Sequence, residues 1–432
     1  MRPVFPPFDY KDPAVLLEKL RSALPDEHRR AFEIVLENSH EVFLVGGIVR
    51  DLLLSRENTD LDFVTLEYAP GVARRLLAHF ERQISFLNIK VKLLEHNAFG
   101  TARLDLGESL HLDFATARQE SYERPAALPT VSFPATLAED LKRRDFTINA
   151  LALSPGQGLL DPFDGLADLR DGWLRVLHRA SFEDDPTRMI RGVRFAARMG
   201  YSFEPFTRQL LEKARDEGYF ELLTAERKRN ELRVILKELR PVKGLALLHR
   251  YGLLAHFHPA LLWNENLAQA FSRLESEINR PRPYEYLAAL LHLQGRSTAA
   301  TILKSLNFDK LEAVVPQEVA RLWEEVRPAL RSPLKNSQLD HLFKSYKAES
   351  LRVFEILLPQ EQREFVRRYR EEIKERSPQL TGDYLLHLGV PAGPEFRELL
   401  AALRTAVLDG EVVGREAEEA FLKQLIANRR SD

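Results

Sequence analysis

The chain has 432 residues, enough for roughly two to four domains of ordinary size. It is 44% hydrophobic and 29% charged, as is usual for globular proteins, and its lack of cysteine excludes disulfides and thiolate metal sites. A net charge of -2 means that any nucleic-acid binding must come from local basic faces. With neither a signal pattern nor a long apolar run, we expect a cytoplasmic protein without membrane association.

The first half of the chain reads as a compact α+β unit. A helix predicted over 27–38 leads into an apolar, β-branched run that predicts a buried strand. Gly46-Gly47 ends that strand and a second helix follows. The remaining predicted strands, the last two forming a hairpin around Gly107, cover 60–64, 89–94, 101–106 and 110–115.

Beyond residue 154 the hydrophobic period becomes almost entirely helical. We therefore predict a mostly antiparallel sheet unit followed by helical domains. The predicted divisions are a loosely attached N-terminal extension over 1–27, a head over 28–154, a neck over 155–225, a body over 226–335 and a tail over 336–432.

An Asp-x-Asp pair, Asp60 and Asp62, lies on the second predicted strand. Side chains alternate along a strand, so both carboxylates point the same way and repel unless a cation lies between them. Mg²⁺ prefers such oxygen ligands, and Asp113 on a neighbouring strand is a plausible third carboxylate for two-metal phosphoryl transfer. The alternative is a solvated turn, against which the apolar neighbours Phe63 and Val64 argue.

The Gly46-Gly47 turn precedes this acidic pair. Glycine lets backbone amides approach a phosphate without a Cβ in the way. Arg50 falls one turn into the following helix, near its positive end, where a guanidinium can bind a triphosphate. The alternative is a tight turn whose arginine covers the surface, but the combination with the acidic pair favours the phosphate site.

A later helix, predicted from Asp185 to Met199, combines an acid at its start with a dense basic face. Pro186 suits the first helical position, which makes Asp185 a good N-cap. A solvated basic face is the alternative to an anion site. The arginines of that face are Arg188, Arg191, Arg194 and Arg198.

These motifs resemble the catalytic head of the class II tRNA nucleotidyltransferases and bacterial poly(A) polymerases, in the DNA polymerase beta-like nucleotidyltransferase superfamily. The resemblance covers residues 40 to about 255 and implies an α+β nucleotidyltransferase head on a small, mostly antiparallel sheet. An all-helical neck with the nucleotide-recognition helix, a body and an RNA-binding tail would follow. The matching stretches are, in order, VFLVGGIVRDLLL, TDLDFVT, EDLKRRDFTINALAL, LLDPFDGLADLRDGWLRVLH and SFEDDPTRMIRGVRFAARMGY.

The resemblance assigns roles motif by motif. Asp60 and Asp62 would bind Mg²⁺ and act in catalysis, with Asp113 as a supporting carboxylate. The residues that would contact the nucleotide are Gly47, Arg50, Arg144, Asp185, Arg188, Arg191 and Arg194.

The resemblance also implies that side chains replace a nucleic-acid template. Asp185 would accept from the exocyclic amino group of cytosine or adenine, and Arg188 would donate to the ring nitrogen. Uracil and guanine present the reverse pattern, and each unpaired group would cost about 1–3 kcal/mol. The family's Glu-Asp pair is Asp184-Asp185 here, so the first acid is one methylene shorter.

Residues 118–137 exceed the usual loop length, which favours a functional lid over a surface connection. In the resembling family this position holds a flexible loop needed for adding A after CC. The stretch RQESYERPAALPTV is similar to that of A-adding members, which disfavours a CC-only enzyme. The basic run Arg227-Lys228-Arg229 is interpreted as a solvated helix face.

The resulting prediction is an Mg²⁺-dependent enzyme in which an RNA 3′-hydroxyl attacks the α-phosphorus of CTP or ATP and releases pyrophosphate. CCA addition to tRNA is the first interpretation. The closest alternative is an A-adding enzyme that works with a separate CC-adding partner, and a poly(A) polymerase shares the same head motifs. A catalytically idle RNA-binding protein on this fold is the alternative from another class.

Overall fold

A computed structural model describes residues 12–39, 41–84 and 91–431. The chain forms two compact units. The first runs to Glu231 and includes Lys243–His256, and the second comprises Leu232–Val242 and the residues from Phe257 onward. The finer division into head, neck, body and tail stays a prediction.

The N-terminal segment is packed where it is described. Helix α1 (Pro13–Ala23) buries Leu16, Leu17 and Leu20. Their spacing of three to four residues places them on one side of the helix, where they join the hydrophobic core. The expectation of a loosely attached start is therefore wrong for this helix, while residues 1–11 lie outside the described residues.

A seven-stranded sheet forms the centre of the first unit. The strands of the unit, in chain order, are β1 (Val42–Val45), β2 (Leu61–Thr65), β3 (Val91–His96), β4 (Thr101–Leu106), β5 (Leu110–Thr116), β6 (Gln119–Ser121), β7 (Thr130–Ser132), β8 (Ala152–Ser154), β9 (Gly158–Leu160), β10 (Trp173–Leu174) and β11 (Ser202–Phe203). The order in the main sheet is β3-β4-β5-β2-β1-β8-β9. Its neighbours are antiparallel except β2 and β5, so the predicted mixed, mostly antiparallel sheet is confirmed.

The strand predictions hold with three differences. Asp60, predicted to lie on the second strand, directly precedes β2. The described part of the strand predicted at 89–94 begins at Val91, and residues 85–90 lie outside the described residues. The sheet also continues past the predicted head boundary at 154, because Gly158–Leu160 folds back beside Ala152–Ser154.

Alternation along β2 orients Asp62, and Asp60 directly precedes this strand. Phe63 is buried and its ring stacks between those of Phe32, at 6.3 Å, and Phe114, at 5.2 Å. Because neighbouring strand residues point to opposite faces, Asp62 faces away from this aromatic core. The core therefore fixes the strand that carries the carboxylate.

Helices pack around the sheet and extend the chain beyond it. Across the described residues, none combines the length and the apolar character that crossing a bilayer requires. The helices between residues 26 and 250 are α2 (Asp26–Asn38), α3 (Gly47–Leu53), α4 (Ala69–Ile84), α5 (Leu137–Lys142), α6 (Gly165–Asp171), α7 (Ser181–Asp184), α8 (Thr187–Met199), α9 (Pro205–Asp216), α10 (Ala225–Leu236) and α11 (Pro241–Arg250).

The second unit is helical, and residues 257–431 as described contain no strand. Its helices are α12 (Glu265–Glu277), α13 (Pro283–Leu291), α14 (Arg296–Ser305), α15 (Lys310–Arg321), α16 (Asn336–Phe343), α17 (Ala348–Leu357), α18 (Gln360–Arg368), α19 (Gly382–His387), α20 (Pro394–Leu408) and α21 (Arg415–Ser431). One core of this unit centres on Phe343 and Phe354, and another on Leu385 and Leu399. The predicted helical second half is confirmed.

Candidate active site

Most of the predicted site residues line one cleft of about 630 Å³ in the first unit. The acidic pair, the glycine turn and the recognition helix, which are far apart in sequence, meet there. Asp113 and Arg194 are not among the lining residues. Those brought together are Gly47, Arg50, Asp60, Asp62, Arg144, Asp185, Arg188 and Arg191.

The surroundings of Asp62 disfavour its charged form. Burial, followed by repulsion from Asp113 and Asp60, raises the pKa of Asp62 to about 6. Arg144 and Arg103 offset this shift only in part, and neighbouring carboxylates of this kind suit a divalent cation, because oxygen ligands are what Mg²⁺ prefers. Among the described residues, however, no group of three or more His, Asp or Glu side chains is arranged to hold a metal. Further ligands would have to come from phosphate oxygens and water.

Asp113 lies beside Asp62 in the register of β5 with β2, as its proposed supporting role requires. Both of its carboxylate oxygens, however, accept hydrogen bonds from the guanidinium of Arg103, each at 2.8 Å. The cavity that Asp113 lines, of about 290 Å³, is a separate one. In this structure the carboxylate is therefore paired with an arginine.

The backbone of the glycine turn comes close to the guanidinium of Arg144. Gly46 has a φ of 77°, and a Cβ there would lie 3.2 Å from Nη1 of Arg144. Arg50 is buried and donates to both oxygens of Asp51 and, at 2.6 Å, to Oδ1 of Asn149. An arginine this buried does not simply cover the surface, so that alternative is wrong.

Arg144 follows α5, whose N-terminus is closed by a capping box between Thr136 and Glu139. The fully buried Asp140 accepts from Arg144 at 3.3 Å and from Nε of Arg143 at 2.9 Å. Burial lowers the pKa of Arg144, and Asp140 opposes that shift. One buried carboxylate thus fixes two arginines at the edge of the cleft.

The buried Asp145 holds the guanidinium of Arg191. Its Nε and Nη2 donate to Oδ2 of Asp145 at 2.9 and 2.7 Å. Oδ1 of the same carboxylate accepts from the backbone N–H of Phe146 and from Asn149, each at 2.8 Å. Burial would raise the pKa of Asp145, but Arg191 and these hydrogen bonds outweigh it and lower that pKa.

Asp185 does not occupy the predicted N-cap position. Helix α8 begins at Thr187, and Pro186 takes the cap position, because the chain turns out of the short helix α7 at Asp185. Oδ1 of Asp185 still accepts from the Thr187 backbone N–H at 3.1 Å and hydroxyl at 2.6 Å. It also accepts from Nη2 of Arg227 at 2.7 Å. One oxygen is therefore firmly anchored, which orients the carboxylate.

Arg188 is anchored as well. Its Nη1 donates to the hydroxyl of Ser181 at 2.7 Å, and its Nη2 donates to the carbonyl of Arg143 at 2.7 Å. The ring nitrogen Nε2 of His178 lies 3.4 Å from Nη1. Burial, with help from Arg188 and Lys142, lowers the pKa of His178 to about 4, so this ring is neutral at pH 7.

Arg194 lies outside the cleft. Its guanidinium lies over the ring of Phe195, 5.5 Å from the centroid. Burial raises the pKa of Glu231, and the positive charge of Arg194 opposes that shift. The prediction that Arg194 completes the pocket came from the family motif. In the structure Arg191 and Arg194 both lie against the Phe195 ring, but only Arg191 lines the cleft.

The predicted lid is an ordered ribbon. Strands β6 and β7 pair antiparallel within residues 118–137. At the tip, the backbone N–H of Ala126 donates to the carbonyl of Glu183 at 3.2 Å, and the carbonyl of Ala126 accepts from Arg227 at 2.8 Å. Tyr122 lines the cleft. The segment forms a wall of the cleft, and its action as a lid stays a prediction.

Several cleft residues escaped the sequence interpretation. Arg227 was assigned to a solvated face, which is wrong, because it joins the ribbon tip to Asp185. Its position in a basic run beside a matched block was the available signal. Asp145 and Asn149 stood inside the RRDFTINA block, where only the arginine was singled out.

Comparison with known proteins places these features in a family. Residues 42–175 match the family described as the poly A polymerase head domain. Residues 200–263 match a family described as a probable RNA- and SrmB-binding site of polymerase A. The head match contains the acidic pair and the glycine turn.

Whole-chain relatives are also similar. An A-adding tRNA nucleotidyltransferase of Halalkalibacterium halodurans is 31% identical over 96% of each chain. One from Geobacter sulfurreducens is 32% identical over 87% of this chain but only 44% of its own length, so this chain spans less than half of that relative. A CCA-adding enzyme of Streptococcus thermophilus is 30% identical over 91% of this chain and 96% of its own.

Solved structures are similar along nearly the whole chain. A CCA-adding enzyme in an apo form has 29% identity and a TM-score of 0.75, with 97% of each chain covered. The Thermotoga maritima CCA-adding enzyme complexed with tRNA has 28% identity and a TM-score of 0.71, covering 94% of this chain and 98% of its own. The chain belongs to the tRNA nucleotidyltransferases, the enzyme family that includes A-adding and CCA-adding members.

Proposed function

We propose that this enzyme completes the 3′ end of tRNA by transferring nucleotides from CTP and ATP to the 3′-hydroxyl, releasing pyrophosphate. The observation that carries the proposal is the meeting of the acidic pair, the glycine turn and the anchored Asp185–Arg188 pair in one cleft. Relatives named A-adding tRNA nucleotidyltransferase and CCA-adding enzyme support tRNA as the acceptor.

Asp60 and Asp62 would hold Mg²⁺, which fits the raised pKa of Asp62 and the all-oxygen donor set. When bound, the ion supplies charge neutralisation and a more acidic attacking hydroxyl. The chain's own residues bind and orient the nucleotide. Arg50 and Arg144 line the cleft beside the glycine turn, where guanidinium donors and backbone amides suit a triphosphate.

The base would be selected by fixed donors and acceptors. Arg227 and Thr187 hold Oδ1 of Asp185, so its Oδ2 can accept from an exocyclic amino group. Arg188 is held in the same cleft and can donate to a ring nitrogen. Because both side chains are anchored before a nucleotide arrives, little ordering entropy is lost on binding.

The acceptor is proposed to be tRNA. The solved structure of the Thermotoga maritima relative is of a complex with tRNA, and other solved relatives are complexes with ATP and with CTP. The helical second unit would supply the RNA-binding surface by recognising shape and phosphates. A cytoplasmic location stays a prediction from the sequence.

Addition of the terminal adenosine alone, after a separate CC-adding enzyme, is the second candidate. Three relatives of 31 to 39% identity carry the name A-adding tRNA nucleotidyltransferase.

A gel assay with Mg²⁺ separates these outcomes. Three RNAs, a tRNA lacking CCA, a tRNA ending in CC and an unstructured RNA, are each given CTP, ATP or both. Growth of the first by three residues with both nucleotides would establish CCA addition. Extension of only the CC-ended tRNA, with ATP, would establish A addition.

The same assay can refute the proposal. Long A tails on the unstructured RNA would move the enzyme to the poly(A) polymerases. No product with any RNA, while tRNA still binds, would favour a catalytically idle RNA-binding protein. A preparation of a known CCA-adding relative in the same buffer serves as the control for RNA quality and metal.

A further inference from the structure

A second cavity, of about 290 Å³, shares only Asp60 and Asp62 with the nucleotide cleft. The proposed function gives its other lining residues no role apart from Asp113. It is a polar space with several groups able to bind RNA. Those groups include His28, Arg103, Ser109, His111 and Asp113.

The stereochemistry of nucleotidyl transfer requires a site of this kind. The attacking and leaving oxygens of the transferred phosphoryl group are roughly in line. If the triphosphate lies beside Gly47 and Arg50, the pyrophosphate leaves toward the cleft. The attacking hydroxyl must then approach from across the acidic pair, where the second cavity lies against Asp60 and Asp62.

Arg103 is built into this cavity by the sheet. In the strand register, Arg103 of β4 faces Asp113 of β5, which in turn faces Asp62 of β2. Nε and Nη2 of Arg103 donate to the two oxygens of Asp113. Among the described residues, no hydrogen-bond partner is seen for Nη1 of Arg103, and the side chain is about half exposed, at 47%. A guanidinium fixed on one edge and open on the other is suited to a phosphate.

We propose that this cavity binds the 3′-terminal nucleotide of the acceptor RNA and that Arg103 contacts a phosphodiester of that nucleotide. Asp113 is then a positioning residue that holds Arg103. The inference rests on the proposed function, which supplies the RNA and the direction of attack. The proposed contact places RNA at Arg103 on β4, one strand from Asp113 on β5 and two strands from Asp62 on β2.

The test measures binding of tRNA ending in CC to Arg103→Gln over a range of salt concentrations. A charge-assisted hydrogen bond at a half-exposed site gives an expected loss of roughly tenfold in RNA affinity. One phosphate contact fewer on a single strand should flatten the plot of log K against log salt by about 0.7. The affinity for ATP should stay unchanged.

The matched control is Arg74→Gln. Arg74 lies on the same unit, pairs with Glu95 at 2.7 Å and has 56% of its side chain exposed. It lines neither cavity. The control variant should bind RNA with the salt dependence of the wild type, so a general loss of positive charge would appear in both variants and overturn the assignment.

Two further variants separate positioning from metal binding. Arg103→Lys should keep the salt dependence of RNA binding but recover only part of the affinity, since a lysine cannot pair with both oxygens of Asp113. Asp113→Asn should raise the KM for RNA in parallel with Arg103→Gln. A drop in Mn²⁺ affinity with unchanged RNA binding would instead assign Asp113 to the metal and overturn the positioning role.

Failure of this inference differs from failure of the proposed function. Binding is measured without turnover, so an enzyme that extends no RNA would still report on Arg103. Normal extension by the wild type, with identical RNA affinity and salt dependence in Arg103→Gln, would overturn only the Arg103 contact. A raised KM for ATP rather than for RNA would place Arg103 on the nucleotide side and overturn it as well.

Discussion

Replacing Asp145 by Asn should uncouple Arg191 from the cleft without changing side-chain size. The amide oxygen can keep the hydrogen bonds from Phe146 and Asn149 that Oδ1 accepts. The amide nitrogen would then face Nε and Nη2 of Arg191, so two acceptor contacts become contacts between donors. The substitution therefore breaks one interaction selectively.

The expected loss of unfolding free energy follows from how deeply Asp145 and Arg191 are each buried. Asp145 is buried, whereas the side chain of Arg191 is 39% exposed, so water can solvate the arginine that is left unpaired. Breaking a fully buried pair costs about 3–5 kcal/mol, and the exposed partner lowers the expectation to about 2–3 kcal/mol of unfolding free energy. The affinity for ATP should fall roughly tenfold, because Arg191 is no longer held.

The effect should depend on pH in a defined direction. The folded-state pKa of Asp145 is lowered, so its stabilisation is full above the unfolded value of about 3.9 and is lost as the pH falls through the folded value. Wild type and Asp145→Asn should therefore differ at pH 7 and converge in strong acid. Asp216→Asn, at a carboxylate that is 65% exposed, is the matched control.

Urea unfolding at pH 7 and at acid pH, with calorimetric titration of ATP, measures both effects. The control should stay within about 0.5 kcal/mol of wild type. If Asp145→Asn also stays within that margin and binds ATP normally, the argument that this carboxylate organises the arginine face is refuted.

Three other changes test the surroundings of the cleft. Arg227→Gln should weaken ATP binding roughly tenfold and relax discrimination against UTP, since a charged donor to Asp185 is lost. An unchanged ratio of the affinities for ATP and UTP would contradict this. Because the pKa of His178 is lowered to about 4, its contribution to the unfolding free energy is lost as the pH falls from 6.5 to 4 and the unfolded ring takes up a proton, so the difference in unfolding free energy between wild type and His178→Asn should shift over that range in urea titrations. Gly192→Ala places a Cβ 2.5 Å from the Phe203 ring, so thermal melting should show a loss of about 1–3 kcal/mol, and an unchanged melting temperature would argue against the tight packing of α8.

Much of the head could be predicted because its strands show apolar runs or clear alternation. The predicted hairpin around Gly107 matches β4 and β5 closely, and Asp62 and Asp113 fall on paired strands. Most of the site residues that the family resemblance implied line one cleft. Local pattern was sufficient where a residue's position follows from its own strand or turn.

The errors arose where distant contacts decide the structure. Helix α1 begins in a Pro-rich stretch, and only its packing shows why Leu16 and Leu20 are buried. Nothing local to Arg227 indicates that Asp185 lies within hydrogen-bonding distance. The pairing of Arg103 with Asp113, by contrast, lies across the predicted hairpin around Gly107, where the turn fixes the register.

The central claim is that the acidic pair carries nucleotidyl transfer in this cleft. The most direct test measures extension of CC-ended tRNA with ATP and Mg²⁺ by Asp60→Ala and Asp62→Ala, alongside a gel-shift assay with the same tRNA. We expect turnover to be abolished in each variant while tRNA binding stays close to that of the wild type. Near-normal turnover in either variant would contradict the assignment of that carboxylate to the reaction.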